Sequence, residues 1–222
     1  MTRGILIAGN ESPLFSAVAA EAATRVETFT TAIIPGRLAP DGAQIAKEPV
    51  EEKIIILPWN PSSPISARTL VFAAENRMKQ IHDAILICSP PVIHKNAEAL
   101  MPEEIEILVN DHIKGWFLLV RELAIYFHRS GKGSLSLVEN ANTKRQSNGS
   151  QANLLEPVAG ASFRALAQGL LSSWQNEPYQ VMGFSGGGTD AIEKFAAWLF
   201  KIVDNGSGKN SGRWHKYSRF KF

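Results

Sequence analysis

The chain has little cysteine: Cys88 is the only one in 222 residues. A single thiol cannot form an internal disulfide, and such sparing use suits a reducing compartment. Long apolar runs are missing as well. Nothing approaches the ~18 consecutive apolar residues of a membrane-crossing helix, so no membrane partner is expected. Met1-Thr2-Arg3 followed by Gly4-Ile5-Leu6-Ile7-Ala8 is too short, and turns polar too soon, for a signal peptide. Together these features give the expectation of a cytoplasmic protein. An excess of one charge is also lacking. The 23 Lys and Arg nearly balance the 21 Asp and Glu, for a net charge of +2, which by itself implies neither a nucleic-acid nor a membrane partner. There is no carboxylate pair at useful spacing, no Cys/His cluster, no Gly-x-Ser-x-Gly and no P-loop. Hydrolase and metal-centre readings have no residues behind them, and no metal site is expected.

What is present suits a single globular domain over 1–222, with 45% hydrophobic and 20% charged residues. The most informative stretch is Asp111 to Glu139. Ile113, Phe117, Val120, Leu123 and Phe127 recur at helical spacing, and Leu118, Leu119 and Tyr126 widen the apolar face. Ser130-Gly131-Lys132-Gly133 stops the helix. Ser134-Leu135-Ser136-Leu137-Val138 then alternates small polar and large apolar residues, as a strand does. The spacing predicts a long helix over 111–130 and a central strand after it.

The rest of the chain repeats this alternation. Gly4–Ala8, Arg25–Thr31, Lys53–Leu57, Ala84–Cys88, Tyr179–Phe184 and Arg213–Phe222 read as further strands. Helices are expected from Ser12-Pro13 to Ala23, from Ser62 or Ser63 to Ile81, from Pro102 to a break near Asn110, over 157–174, and from Thr189 to Val203. A short helix is expected near Gly42–Lys47 in an otherwise irregular stretch. Short, continuous apolar strands separated by helices imply a doubly wound, mostly parallel, seven-stranded α/β sheet with helices on both faces. Ligands of such sheets bind beyond the strands' carboxyl ends. The candidate segments are therefore Gly9–Pro13, Pro58–Asn60, Ser89–Pro91, Asn140–Thr143 and Ser185–Gly188.

Several local patterns in this order resemble the short-chain dehydrogenase/reductase family over nearly the whole length. They are Ile5-Leu6-Ile7-Ala8-Gly9, Asp83-Ala84-Ile85-Leu86-Ile87, Gly115-Trp116-Phe117 before a long helix, Gly131-Lys132-Gly133-Ser134, Phe163 to Leu171, and Gly212 before a terminal strand. The resemblance implies a Rossmann-like fold and hydride transfer with NAD or NADP. The functional motifs of that family depart here. Of the three glycines in its first turn only Gly9 remains, with Pro13 and Phe15 at the later places. Proline removes an amide donor and phenylalanine crowds a phosphate site. The family's Tyr-x-x-x-Lys falls at Pro157 and Ala161, neither of which moves a proton. Its Ser falls near Asn140–Asn142 and its helix Asn near His112. Tyr217 and Lys221 have the spacing, but on a terminal strand, and are read as coincidence.

Each candidate has two readings. His112 is either a polar residue bonding nearby backbone or an acid/base group, and with Asn140 it is the catalytic candidate. Gly9, Asn10, Trp59, Asn60, Ser89 and Gly186 are the cofactor-cleft candidates. Trp59 either stacks on a flat ligand or packs. Ser185-Gly186-Gly187-Gly188 either cradles an anion or is a flexible turn. Asn140, Asn142 and Thr143 either bind a ligand or turn the chain. Cys88 reads as an inert core thiol. The basic, aromatic tail from Lys209 to Lys221 either blocks a sheet edge or binds nucleic acid, and nucleic acid is not among the expected partners.

The expectation is thus a degenerate member of this family, without NAD(P) chemistry and with no cofactor. It would act as a binding or scaffolding homo-oligomer, a homodimer or homotetramer paired through helices 111–130 and 157–174. The alternative is an atypical NAD(P)-dependent oxidoreductase with a rearranged active site.

Overall fold

The apolar runs pair side by side, and the helices between them cover both faces. The computed structural model describes residues 3–25, 29–34, 54–91, 93, 95–140, 154–186, 191–206 and 208–217. Its elements are β1 (Ile5–Asn10), α1 (Pro13–Ala23), β2 (Phe29–Ile34), β3 (Ile54–Pro58), α2 (Pro64–Met78), β4 (Asp83–Cys88), α3 (Pro102–Val109), α4 (Gly115–Ser130), β5 (Ser134–Asn140), α5 (Leu155–Ser173), β6 (Gln180–Gly186), α6 (Ile192–Asp204) and β7 (Arg213–Lys216). The sheet has seven strands in the order β3-β2-β1-β4-β5-β6-β7. Every neighbouring pair is parallel. The doubly wound α/β sheet expected from the sequence is the observed one, with β7 at its edge.

Strand alternation sorts the core into two layers. Leu6, Ala8, Leu86, Cys88, Leu135 and Leu137 face α2, α4 and α5. Ile5, Ile7, Ile85, Ile87, Val138 and Phe184 face α1 and α6. In-register pairing of Ala8 with Leu86, and of Leu86 with Leu137, continues one layer across three strands. Strand order reverses between β1 and β4, so the carboxyl ends of β1, β4 and β5 border the switch point where such sheets bind ligands.

Several boundaries differ from the sequence reading. β1 runs on through Gly9 and Asn10, because both stay paired to β2 while Gly9 also pairs to β4. β2 lies over Phe29–Ile34, later than 25–31, in the register that sets Leu6 against Thr30. The helix expected to begin at Asp111 has no separate start. Asn110–Lys114 forms a π-helical turn that joins α3 to α4, and Asp111 and His112 are buried within it. Gly115 lets α4 approach the chain before α2 closely: a Cβ there would stand 2.4 Å from Pro61 Cβ. α5 starts at Leu155 and ends at Ser173, and β7 stops at Lys216. The helix expected near 42–47, residues Asn142 and Thr143, residues 187–190 and the tail from 218 lie outside the described residues.

Candidate functional site

Asn10 ends β1, and its side chain reaches β4: Nδ2 donates to the carbonyl of Ser89. Asn140 ends β5 and donates from Nδ2 to Ser89 Oγ at 2.8 Å. Ser89 follows β4 directly, so one residue receives a bond from each flanking strand. Asn10, Ser89 and Asn140, three of the residues singled out in the sequence, thus meet at the switch point. Asn10 Oδ1 is buried with no hydrogen-bond partner among the described residues. A buried acceptor left unpaired costs about 1–3 kcal/mol, and a ligand carrying an N–H or O–H would relieve that cost.

The other candidates fare differently. Gly9 is required by packing, since a Cβ there would lie 2.7 Å from the Ile87 carbonyl oxygen. Trp59 is 1% exposed, with its ring centroid 5.4 Å from that of Trp116, which in turn meets Phe163 edge-on at 5.2 Å. This corrects its reading as a stacking platform: the indole is a core side chain joining β3 to α4 and α5. Asn60 lies in the turn before α2, where Oδ1 accepts from Ser62 N–H at 3.2 Å and Ser62 Oγ–H at 2.7 Å. Gly186 has φ +143°, and a Cβ there would come within 2.6 Å of Tyr217 Cβ, so glycine is what lets β7 follow β6. Tyr217 packs beside Phe195 and Trp198 at 5.7 and 5.3 Å, in the α6 layer. Lys221 is outside the described residues.

His112 is buried in the π-turn, and Nδ1 has no partner among the described residues. Burial pushes its pKa down to about 4. At neutral pH the ring is therefore uncharged, able to exchange hydrogen bonds but with no acidic proton to release. The acid half of the acid/base reading of His112 is corrected accordingly, while the neutral imidazole remains able to accept a proton as a base. Cys88 is the inert thiol expected, its pKa raised first by burial and then by the charge of Glu139.

Glu139 and Arg164 escaped the sequence reading. Glu139, the penultimate residue of β5, turns toward α5 and is almost buried. Arg164 donates to Glu139 Oε2 from Nε at 2.9 Å and from Nη2 at 2.6 Å. Its Cζ lies 5.8 Å from the Trp214 ring, whose Nε1–H donates to Ser185 Oγ at 2.8 Å. The available signal was a lone carboxylate at the end of an otherwise apolar and serine-bearing strand. Pro157 and Ala161, at the family's Tyr and Lys places, are exposed on α5. A groove of about 590 Å³ lies elsewhere, along α2 and α4 between Ile65, Arg68, Phe72, Arg121, Ile125 and Arg129. None of these residues stands at a strand end.

A dinucleotide fits this crevice unevenly. The polar end formed by Asn10, Ser89 and Asn140 suits a carboxamide or a ribose. The turn at α1 suits phosphates poorly: Pro13 has no N–H, Phe15 N–H is held by Ser12 Oγ at 3.2 Å, and Ser16 N–H by the Ser12 carbonyl at 3.0 Å.

No family model and no curated protein matches the sequence. Solved structures match its fold. A short chain dehydrogenase from Bacillus anthracis superposes with a TM-score of 0.74 at 14% identity, over 97% of this chain and 95% of that one. An NADH-dependent reductase complexed with NAD gives 0.73 at 13%, over 100% and 97%. A 3-ketoacyl-(acyl-carrier-protein) reductase from Brucella melitensis complexed with NADH gives 0.72 at 15%, over 96% of each chain. These neighbours overturn the expectation of a scaffolding protein without nucleotide chemistry or cofactor. All three are named as dehydrogenases or reductases, and two of them are complexed with NAD or NADH. At such identities the likeness is one of fold, and the chain has the Rossmann-like fold of the short-chain dehydrogenases/reductases.

Proposed function

We propose that the chain is an atypical NAD(P)-dependent oxidoreductase whose active site is rearranged around the carboxyl ends of β1, β4 and β5. The observation that carries this reading is the bridge from Asn10 and Asn140 to Ser89, with the buried, unpaired Asn10 Oδ1 beside it. Bound NAD or NADP supplies hydride transfer. Asn10 Oδ1 accepts from the cofactor's carboxamide or ribose. Asn140 fixes Ser89 Oγ, which keeps its own proton free for a ligand oxygen. α1 contributes little to holding the phosphates, because Pro13 has no N–H and the Phe15 N–H is engaged by Ser12 Oγ. Self-association through α4 and α5 belongs to the same reading, and is supported by exposed Phe117, Ile125 and Val158.

Thermal unfolding with millimolar NAD, NADH, NADP and NADPH tests it. A cofactor at about 100 times its Kd stabilises by about 2.7 kcal/mol, a rise in Tm of about 2–4 °C for a domain of this size. The shift is expected with at least one cofactor and is expected to vanish in Asn10→Ala. A folded wild type that none of the four shifts would remove the proposal.

A further inference from the structure

We propose that Arg164, aimed by Glu139 and steadied by Trp214, receives a carboxylate of the substrate. The enzyme's substrates are then oxo or hydroxy acids and not their neutral esters. This inference rests on the oxidoreductase reading, and it concerns the side of the crevice between β5 and α5.

Three observations carry it. The first is the way the guanidinium is used. Both of its bonds go to one oxygen, Glu139 Oε2, from Nε and Nη2. An arginine has five N–H donors in a rigid plane. The edge bearing Nη1 makes no hydrogen bond to a described residue, and that edge matches a carboxylate in a two-pronged arrangement. The second is the difference in exposure between the partners: the Arg164 side chain is 48% exposed and that of Glu139 is 12%. The carboxylate is the sunken anchor, and the cation is the group a ligand can reach. The third is pre-organisation. Trp214 lies against the guanidinium, and its own indole N–H is held by Ser185 Oγ. Bonded twice to Glu139 and within cation–π range of Trp214, the arginine is partly ordered before a ligand binds and gives up less side-chain freedom on binding.

The surroundings leave room for such a ligand. Gly160 and Ala161 precede Arg164 on α5 and carry no long side chain. A Cβ placed on Gly160 would stand 3.8 Å from Glu139 Oε1, an ordinary contact. As a pair, Arg164 and Glu139 are neutral. Recognition therefore rests on directed N–H donation and not on long-range attraction, and it survives moderate salt. Glu139 is a positioning residue here, acting through Arg164.

The test uses the full chain and three oxo acids of increasing length (pyruvate, levulinate and 5-oxohexanoate), each beside its methyl ester, with binding measured by titration calorimetry. The expected result is that at least one acid binds roughly tenfold or more tightly than its ester, as two charge-assisted bonds allow. Arg164→Gln abolishes that preference while the ester still binds, and Arg164→Lys keeps part of it. Glu139→Gln weakens the acid and leaves the ester unchanged, an effect that a general loss of structure does not give. Equal binding of acids and esters by the wild type, no binding of any acid, or a preference that survives Arg164→Gln would each overturn the inference. The cofactor-dependent Tm shift is measured on the same samples. A shift without acid preference sinks this inference alone. Acid preference without a shift sinks the oxidoreductase reading and leaves an anion site.

Discussion

Asn140 at the end of β5 donates a 2.8 Å hydrogen bond to Oγ of Ser89, the residue that follows β4, and so ties two adjacent strand ends across the switch point. Asn10 completes the tie from β1, on the Ser89 carbonyl. Removing Asn140's amide as Asn140→Ala should therefore act in two ways. Stability falls by about 1 kcal/mol, the usual net worth of such a bond. Any cofactor-induced rise in Tm shrinks as well, because Ser89 Oγ is no longer held. Urea unfolding measures the first effect and thermal shift the second.

Trp59 separates packing from recognition. Its ring lies in an aromatic cluster with Trp116 and Phe163, away from solvent. Trp59→Ala should cost about 3–5 kcal/mol, as large-to-small changes in a core do. The milder Trp59→Phe should lower Tm while leaving the size of any cofactor shift unaltered. A cofactor shift lost in Trp59→Phe would restore the stacking role.

Gly186 ends β6 at the point where Tyr217, just past the edge strand, approaches it closely. Its φ of +143° disfavours a side chain, and Tyr217 occupies the space a Cβ would need. Gly186→Ala should cost about 2–3 kcal/mol. Hydrogen exchange should place the loss in β7, starting with the Tyr217 N–H that bonds the Ser185 carbonyl.

Much of the fold was open to reading from local chemistry. Ser12-Pro13 marked the start of α1 and Gly131 the end of α4, and both are found there, Ser12 as the cap and Gly131 with φ +68°. Apolar runs such as Ile5-Leu6-Ile7-Ala8 sit in the sheet because both of its faces are covered. What escaped depends on contacts far apart in sequence. A π-turn has no period of its own within a helical pattern, so Asn110–Lys114 read as a break. Glu139 and Arg164 are 25 residues apart, and nothing in either neighbourhood announces the other. The burial of Trp59 follows from the approach of Trp116 on another element. Asn10, Ser89 and Asn140 were legible because strand ends in parallel sheets are where function gathers. Their mutual bonds needed the register of three strands.

Self-association is open to a direct measurement. Phe117 and Ile125 on α4 are 53% and 50% exposed, and Val158 on α5 is 54% exposed. Light scattering at micromolar concentration should give a homodimer or homotetramer. Phe117→Asp with Ile125→Asp should give a folded monomer, since a charge in an apolar contact is costly to bury. A wild type that runs as a monomer would remove this part of the proposal.

His112 should make the protein sensitive to acid in a defined window. Burial holds its folded-state pKa at about 4, against an ordinary value of 6.5. Above pH 6.5 neither state protonates the ring, and His112 does not affect stability. Between 6.5 and 4 the unfolded chain takes up a proton that the folded chain refuses, so stability falls as pH falls. Across the full window the loss from this one ring is on the order of 3 kcal/mol. His82 adds to it in the same direction, since burial also lowers its pKa. Asp204 acts later: burial raises its pKa, but the bonds from Arg25 and Arg3 outweigh that and hold it below its usual value of 3.8, so its contribution is lost only in stronger acid. Urea midpoints taken from pH 7 to pH 4 should therefore decline in the wild type and decline less in His112→Gln. That variant keeps a polar side chain but cannot charge, and the slope remaining in it comes from His82 and, near pH 4, from Glu104, whose pKa Lys95 lowers. If the two curves run parallel, water reaches the imidazole in the folded protein and His112 is not the source of the acid sensitivity.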